Sequence, residues 1–187
     1  MPSPRRDWGR RSTSSSSPLA AWSWSCRQGS PCVNHPASTD SPTTVIVDTN
    51  VVSEFMRPKP QPIVLAWLDS QFRRSLFVTA VTEAEIRAGI AFLPEGRRRR
   101  LLARAADQAF GDLFAGRILP FDTEAARAYA RIAARCRRAG RPISQADGQI
   151  AAIAHSRDAM LATRNVQDFK LADVHLVNPW PPVEDNQ

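Results

Sequence analysis

Acidic and amide side chains follow short apolar runs at three points of this 187-residue chain. Asp48 and Asn50 come directly after "TVIV", Glu85 lies shortly after "LFVTA", and Asn165 and Asp168 follow "LATR". Carboxylates that crowd together raise one another's pKa unless a divalent cation neutralises them. Oxygen ligands without His or Cys favour a hard ion, Mg²⁺ or Mn²⁺. Such an ion activates water and holds a phosphate oxygen, so the pattern predicts a metal-dependent nuclease.

From Thr44 onward, short apolar strands alternate with helical patterns, which is typical of a parallel α/β sheet. The predicted strands cover residues 45–48, 76–80, 117–120, 159–163 and 174–178. The predicted helices lie near residues 50–56, 62–71, 82–92, 97–110, 123–139 and 145–157. Ligands of such a sheet bind beyond the carboxyl ends of its strands, so we expect the acids to converge on one edge.

Helix capping is an alternative role for three acids of the predicted domain. An Asp that follows a strand commonly caps the next helix, and at Asp48 the position alone leaves both roles open. Glu85 follows Thr82 by three residues, and Asp147 follows Ser144 by three. This is the spacing of a capping box, so it makes capping a serious alternative for both acids.

Helical periodicity separates Asp147 from an ordinary cap. Its side chain projects beside Ile150 and Ala154, on the apolar stripe that must face the sheet. A carboxylate there is costly unless it is paired or bound to a cation, which favours a functional role. In the preceding helix, Glu83 and Glu85 flank opposite sides of the stripe, and periodicity does not choose between them.

Composition and charge describe a globular protein with a mildly basic body. The hydrophobic fraction is 43%, and no apolar run approaches the roughly 20 residues needed to cross a bilayer, which excludes a membrane-spanning protein. The formal net charge is +7, of which five Arg against two Asp in residues 1–43 supply +3. This balance suits a polyanionic partner without demonstrating one.

Residues 1–43 differ from the rest, being rich in Ser, Pro, Arg and Trp without strand or helix periodicity. This predicts a disordered, dispensable extension, then one domain at residues 44–182 and a flexible tail at 183–187. The extension contains Cys26, Cys32 and His35, which lack a fourth ligand at zinc-finger spacing. Only Cys136 lies in the predicted domain, so no disulfide framework is expected and a reducing compartment is favoured.

Six motifs of the predicted domain resemble those of the PIN-domain ribonucleases. Within that family, the resemblance is to the VapC-type toxins of bacterial toxin–antitoxin pairs, and especially to their FitB-like branch. The motifs are "VDTNVVSEFMRP", "VTEAEIRAGI", "GRILPFD", "ISQADGQIAAIA", "LATRNVQDF" and the terminal "NPW", and they span about residues 45–182. Each is weak alone, but together they are highly specific.

The resemblance assigns roles residue by residue. It implies that Asp48, Glu85 and Asp147 are the metal-binding and catalytic acids, which resolves the choice between Glu83 and Glu85. Asn50 is then expected to form hydrogen bonds around the site that hold the acids in place.

A fourth acid often occupies the position where this chain has Asn165, and this is a departure from the family pattern. Asn165, which is also a good turn residue, supplies a carbonyl oxygen but adds no charge. Asp168 is a candidate to compensate, so the fourth ligand position stays open between the two residues.

The resemblance also implies a three-layer α/β/α sandwich with a central parallel sheet. The expected activity is that of a Mg²⁺-dependent endoribonuclease, with Mn²⁺ as the alternative ion. The expected protein is a cytoplasmic toxin that forms a homodimer and is neutralised by a cognate VapB-type antitoxin, in a heterotetramer or a larger complex. The antitoxin's tail would lie over the active-site groove, and its DNA-binding part would repress the shared operon.

Two arginines lie within two residues of a proposed site position, Arg87 beside Glu85 and Arg164 beside Asn165. Each is a candidate to bind a phosphate of the RNA substrate bidentately. Two further basic segments could track an RNA backbone, although such segments are more typical of a solvated helix face: the run at residues 96–100 and the cluster Arg135, Arg137, Arg138 and Arg141.

Two other functions fit part of the pattern. Receiver-like and haloacid-dehalogenase-like phosphoryl-transfer domains also place an Asp after their first strand, but they need a Lys near the acids. Neither Lys59 nor Lys170 ends a predicted strand. The second alternative is a non-catalytic PIN module that binds RNA or antitoxin, with Asn165 as the sign of a lost active site.

Overall fold

The computed structural model describes residues 44–57, 59–71 and 73–180. The strands are β1 Val45–Val47, β2 Leu76–Thr79, β3 Ile118–Leu119, β4 Met160–Ala162 and β5 Leu176–Val177. The α-helices are α1 Thr49–Phe55, α2 Pro62–Ser70, α3 Ala80–Ala91, α4 Arg97–Gln108, α5 Thr123–Arg138, α6 Gln145–Ser156 and α7 Val166–Phe169. A 3₁₀ turn at Arg73–Ser75 precedes β2, and a π-helical turn at Ala109–Leu113 continues α4.

The strands form one parallel sheet in the order β3-β2-β1-β4-β5, so β1 is central. Val45 of β1 is in register with Leu76 of β2 on one side and with Met160 of β4 on the other. At the opposite end of β1, the N–H of Asp48 donates to the carbonyl of Ala162 at 3.0 Å. The carboxyl ends of β1 and β4 therefore lie side by side.

Helices cover both faces of the sheet. Ile46 belongs to an apolar cluster with buried residues of α5 and α6, while its neighbours Val45 and Val47 belong to a second cluster with residues of α1, α2 and α3. This alternation follows from the two-residue period of a strand. The result is a three-layer α/β/α sandwich with a central parallel sheet, and the predicted fold class is confirmed.

Helix α6 packs closely on α5 at Gly148. Gly148 lies against the ring of Tyr129, and a Cβ at position 148 would be 2.8 Å from Tyr129 Cε2. Two carbon atoms do not approach so closely without a shift, so the glycine allows this packing. The contact fixes the first turn of α6, the turn that carries Asp147.

The predicted start of α3 was wrong by two residues. The helix begins at Ala80 because Thr79 is its cap: the Thr79 side-chain oxygen accepts a hydrogen bond from the N–H of Thr82 at 2.9 Å. Strand β2 accordingly ends at Thr79. The other predicted elements are present, with strand and helix ends that differ by a few residues from the expected ones.

The proposed extension at residues 1–43 and the tail at residues 183–187 lie outside the described residues, so the domain borders stay predictions. Among the residues that are described, Cys136 is a buried free thiol. In the same part of the chain, no helix has both the length and the apolar character needed to span a membrane.

Candidate active site

Asp48 follows the central strand β1 and is only 2% exposed. Its Oδ1 atom accepts a hydrogen bond from the backbone N–H of Thr49 at 2.7 Å. Its Oδ2 atom accepts from Asn50 Nδ2 and from Thr163 Oγ1, both at 2.8 Å. Asp48 is the N-cap of α1, yet its second oxygen is held by side chains from two different parts of the sheet edge. Asp48 therefore has the capping role that the sequence predicted as one alternative. Capping does not explain the two hydrogen bonds to its Oδ2 atom.

Burial raises the pKa of Asp48 from 3.8 to about 6. The hydrogen bonds from Thr163 and Thr49 lower this pKa, while the negative charges of Asp147 and Glu85 raise it. Among the described residues, the donors to Asp48 are all neutral groups. The charged form of this carboxyl is thus short of a positive partner, which is the situation that a bound cation relieves.

Glu85 lies in the second turn of α3 and is exposed. Its Oε2 atom accepts a hydrogen bond from Thr49 Oγ1 at 2.7 Å, so Thr49 links Glu85 to Asp48. Because α3 is capped by Thr79, the capping role offered for Glu85 with Thr82 is wrong.

Glu83, the other candidate on α3, accepts a hydrogen bond from Arg87 Nε at 2.8 Å. It does not line the cleft that contains Glu85. The structure therefore brings Glu85, and not Glu83, to Asp48.

Asp147 takes part in the N-cap of α6 that its spacing predicted, with Ser144 as the capping residue. Its backbone N–H donates to Ser144 Oγ at 3.1 Å, and the Ser144 hydroxyl donates to Asp147 Oδ2 at 2.6 Å. The side chain is half-buried and lines the same cleft as Asp48 and Glu85. As at Asp48, the capping bond and the position in the cleft occur together.

A cleft of about 340 Å³ joins these acids beyond the carboxyl ends of β1 and β4, and we call it the acid cleft. Its lining comprises Asp48, Thr49, Asn50, Ser53, Glu54, Arg57, Glu85, Asp147, Arg164, Asn165 and Trp180. Neither Lys59 nor Lys170 belongs to it, so the lysine expected of the phosphoryl-transfer alternatives is not among its lining residues.

The two candidates for the fourth ligand position line different clefts. Asn165 lines the acid cleft. Asp168 lines a neighbouring cleft, which shares only Asp147 with the first. The structure brings Asn165 together with the three acids and does not bring Asp168 there, so the compensation expected of Asp168 is not supported by its position.

The PIN-domain family model matches residues 45–174, which is more than half of the chain. The chain belongs to the PIN-domain family. It is 41% identical over 138 residues to VapC ribonuclease Y4jK of Sinorhizobium fredii, covering 74% of this chain and 99% of the relative. It is 43% identical over 136 residues to toxin FitB of Neisseria gonorrhoeae, covering 73% and 98%. The solved structure of FitAB bound to an IR36 DNA fragment superposes with a TM-score of 0.68 at 43% identity, covering 74% of this chain and 96% of that one.

Arg87 and Arg164 have different surroundings in this PIN domain. Arg87 donates to Glu83 and Asp107, both at 2.8 Å, and it does not line the acid cleft. Arg164 lines the cleft, and its guanidinium lies 5.6 Å from the centre of the Trp180 ring. No ion pair or side-chain hydrogen bond of Arg164 occurs among residues 44–57, 59–71 and 73–180.

Sequence reasoning missed four residues of this PIN domain's cleft region: Thr49, Thr163, Glu54 and Arg57. Thr49, the first residue of α1, and Thr163, which follows β4, hydrogen-bond the acids, but threonine at such positions is ordinary and gives no signal. Glu54 is 2% exposed, accepts a hydrogen bond from the N–H of Gln61 at 2.9 Å and pairs with Arg57 at 3.1 Å. Glu54 lies three residues after the buried Val51 on α1, so the signal that singled out Asp147, an acid on an apolar stripe, was present here too.

The oxygen atoms that line the acid cleft of this PIN domain are suitable ligands for a hard divalent cation. They are carboxylate, amide and hydroxyl oxygens, and the cleft lining contains no His or Cys. In the portion of the chain that is described, no three His, Cys, Asp or Glu side chains are grouped tightly enough to enclose an ion as they stand. Glu85 and Asp147 each accept one side-chain hydrogen bond and can turn, whereas Asp48 is fixed.

Proposed function

We propose that this protein is the toxin of a type II toxin–antitoxin pair and acts as a metal-dependent endoribonuclease that hydrolyses RNA phosphodiester bonds. One observation carries the chemistry: the buried carboxyl of Asp48, with its pKa raised to about 6, shares a cleft with Glu85 and Asp147. A carboxylate kept out of water beside two like charges is the arrangement that a divalent cation stabilises. The relative named VapC ribonuclease supports the same activity, and the relative named toxin FitB supports the role as a toxin.

Mg²⁺ is the proposed ion, with Mn²⁺ as the alternative, and Asp48, Glu85 and Asp147 are its proposed ligands. When bound, such an ion neutralises charge on the phosphate and lowers the pKa of a bound water. Thr49 and Thr163 orient Asp48 through their hydrogen bonds, and Thr49 also holds Glu85. The bonds to Asp48 set the position of its carboxylate before an ion binds.

Asn50 and Arg164 have proposed supporting roles around these acids. Asn50 donates to Asp48 Oδ2 and, at 3.5 Å, to Thr163 Oγ1, so it holds the carboxylate oxygen in place. Arg164 lies on the aromatic face of Trp180, which keeps its charged group at the cleft wall. A guanidinium without an acidic partner at that wall suits a substrate phosphate.

The proposed partner is a VapB-type antitoxin protein, together with a second copy of this chain. FitB is named as a toxin, and the FitAB structure to which this chain is similar is bound to DNA. We propose a homodimer that joins the antitoxin in a heterotetramer or a larger complex, in the cytoplasm. The buried free thiol of Cys136 is compatible with the reducing conditions of that compartment.

Induced expression without antitoxin tests the proposal, combined with cleavage of cellular RNA by the purified protein. We expect growth arrest and RNA cleavage that both disappear with Asp48→Ala and with Asp147→Ala, and cleavage that EDTA abolishes. Glu83→Gln is the matched control, because it removes an acid of α3 that pairs with Arg87 outside the cleft. Cleavage that persists in both alanine variants would refute the assignment of the site.

A non-catalytic module that binds RNA or antitoxin is the second candidate function. Asn165 is the observation that favours it, because this side chain stands in the cleft without adding a charge. Such a module would bind RNA equally well with and without EDTA and leave it intact. Growth arrest that survives both alanine substitutions, with uncut RNA, would decide for this candidate.

A further inference from the structure

A second cleft, of about 420 Å³, shares Asp147 with the acid cleft. We call it the side cleft. It lies between the start of α6 and the short helix α7. The residues that matter for its chemistry are Arg141, Ser144, Asp147, Gln167, Asp168 and Leu171. Because Asp147 is a wall of both clefts, a chain bound in one can continue directly into the other.

Arg141 is the positive group of the side cleft, and it is available to a ligand. The side chain is exposed, and it makes no ion pair or side-chain hydrogen bond within the described part of the chain. Five other arginines do pair with acids: Arg57, Arg87, Arg99, Arg135 and Arg157.

The backbone at Arg141 is well fixed. Its N–H donates to the carbonyl of Cys136 at 3.0 Å, across the left-handed turn at Gly140, where φ is +69°. Pro142 follows and restricts the backbone of Arg141 further. A fixed backbone therefore presents an unpaired guanidinium at the cleft, which suits recognition of a phosphate.

The remaining polar groups of the side cleft suit a base rather than a second phosphate. Asp168 is an acid that would repel a phosphate, but its carboxylate accepts hydrogen bonds from base N–H groups. Gln167 both donates and accepts. Leu171 and Ile143 supply apolar surface for the face of a base. Guanine, which presents two neighbouring N–H donors on its Watson–Crick edge, matches a carboxylate best.

We propose that the side cleft binds the nucleotide next to the scissile phosphate of a single-stranded RNA substrate. Arg141 contacts the flanking phosphate, and Asp168 with Gln167 contacts the base, with a preference for guanine. This proposal rests on the proposed endoribonuclease function. It assigns Asp168 to substrate recognition instead of to the fourth metal position.

The phosphate contact is tested with Arg141→Ala, using Arg131→Ala as the matched control. Arg131 is an exposed arginine of α5 that lines neither cleft, and its loss changes the net charge equally. For cleavage of one defined RNA, we expect Arg141→Ala to raise KM about tenfold with kcat within about twofold, the pattern of lost uniform binding. The control should leave both constants unchanged, and equal effects of the two substitutions would overturn the proposal.

Binding of the same RNA in EDTA separates this proposal from the nuclease function, because it needs no cleavage. The observed RNA-binding constant Kobs falls as salt rises, so log Kobs against log[salt] has a negative slope. For Arg141→Ala the magnitude of this slope should be smaller by about 0.7, which corresponds to the loss of one phosphate contact on a single strand. The slope of Arg131→Ala should equal that of the wild type. An unchanged slope for Arg141→Ala overturns the phosphate contact even if the protein cuts RNA. Absence of cleavage by the wild type, with the slope difference intact, would refute only the nuclease function.

The base contact is tested with Asp168→Asn by sequencing the RNA ends that the wild type and the variant produce. We expect the wild type to favour guanine at the position next to the cut, and the variant to lose that preference at least about fivefold at unchanged metal requirement. An unchanged cleavage-site preference would overturn the assignment. So would a higher Mg²⁺ requirement in the variant, because Asp168 would then serve the ion.

Discussion

The acid at the strand end and the two acids on helices are held in contrasting ways within one cleft. Asp48 is 2% exposed and accepts three hydrogen bonds. Glu85 is exposed and accepts one side-chain hydrogen bond, from Thr49, and the half-buried Asp147 accepts one from Ser144. The position of Asp48 is therefore set by the fold, whereas the other two carboxylates can adjust to a ligand.

This difference teaches where the free-energy cost of the site lies. A charge fixed in a buried position destabilises the metal-free fold, and the raised pKa of Asp48 expresses that cost. Carboxylates that stay in contact with water carry little of it. The site thus combines one pre-organised ligand with two adaptable ones. We expect substitutions of Asp48 to have larger effects than substitutions of the adaptable acids.

The largest expected effect is the loss of cleavage with Asp48→Asn compared with Glu85→Gln. Loss of the partners that orient a ligand typically lowers metal affinity or activity about 10- to 100-fold, so loss of the fixed ligand itself should cost at least about a hundredfold. Glu85→Gln keeps an oxygen donor in an adaptable position, and we expect a loss of about tenfold. Rates at increasing Mg²⁺ measure the difference.

Excess Mg²⁺ separates the two variants further. It should restore Glu85→Gln toward the wild-type rate, because the remaining ligands still define the site, and it should not restore Asp48→Asn. Equal rescue of both variants would show that the contrast in burial and hydrogen bonding has no consequence for the ion.

The next largest effect concerns stability and pH in the absence of metal. The pKa of Asp48 is about 6 in the folded protein against an ordinary value of 3.8, so the folded state holds this proton to higher pH than the unfolded state does. Between pH 4 and pH 6 the contribution of Asp48 to the unfolding free energy therefore falls as pH rises. At pH 7.5 the buried charge should cost about 2–3 kcal/mol relative to a neutral side chain.

Urea unfolding in EDTA measures this cost as the difference between Asp48→Asn and the wild type. We expect the variant to be more stable at pH 7.5 by about 2 kcal/mol, and the difference to shrink below about 1 kcal/mol near pH 4. Saturating Mg²⁺ should remove the advantage of the variant by stabilising the wild type. A variant that is less stable than the wild type at pH 7.5 would contradict the claim that the buried charge of Asp48 destabilises the metal-free protein.

The contrast also explains how much of the molecule could be predicted from its sequence. Strand β1 and helix α6 could be predicted from periodicity. A strand buried on both faces is a continuous apolar run, and a helix buried on one face has apolar residues at helical spacing. Asp147 stands out because a carboxylate on an apolar stripe is conspicuous, whereas the role of Asp48 rests on its position after a strand and on the resemblance to the PIN-domain ribonucleases. Glu54 of α1 shows the same signal as Asp147, and its side chain is 2% exposed.

Other features of the site depend on tertiary contacts, which the local sequence pattern does not show. The position of Asp168 in the side cleft is set by the turn before α7 and by the packing of α6, neither of which has a periodic signature. Thr163 meets Asp48 only because β1 and β4 are neighbours in the sheet, although the two residues are far apart in sequence. The choice of Thr79 over Thr82 as the α3 cap likewise depended on where β2 ends.

Thr163→Val tests whether the fixed orientation of Asp48 contributes to metal binding. Thr163 is fully buried, and its Oγ1 donates to Asp48 Oδ2 at 2.8 Å. Valine has nearly the same shape without the hydroxyl, so we expect Mg²⁺ affinity to fall about tenfold. Titration of the protein with Mg²⁺ by calorimetry measures the change, and Thr163→Ser, which keeps the hydroxyl, should bind as the wild type does. If valine binds the ion as well as threonine does, the orientation of Asp48 does not depend on this bond.

The smallest expected effect is a gain of metal affinity with Asn165→Asp, on the adaptable side of the contrast. Asn165 is exposed and lines the acid cleft, so an aspartate there adds a negative charge that solvent partly screens. We expect the Kd for Mg²⁺ to fall about fivefold, since a partly screened charge a few ångströms from an ion contributes about 1 kcal/mol. Asp168→Asn, in the side cleft, should leave the Kd unchanged. A Kd that responds to Asp168→Asn and not to Asn165→Asp would exchange the roles of the two residues, and it would move the fourth ligand across Asp147 into the other cleft.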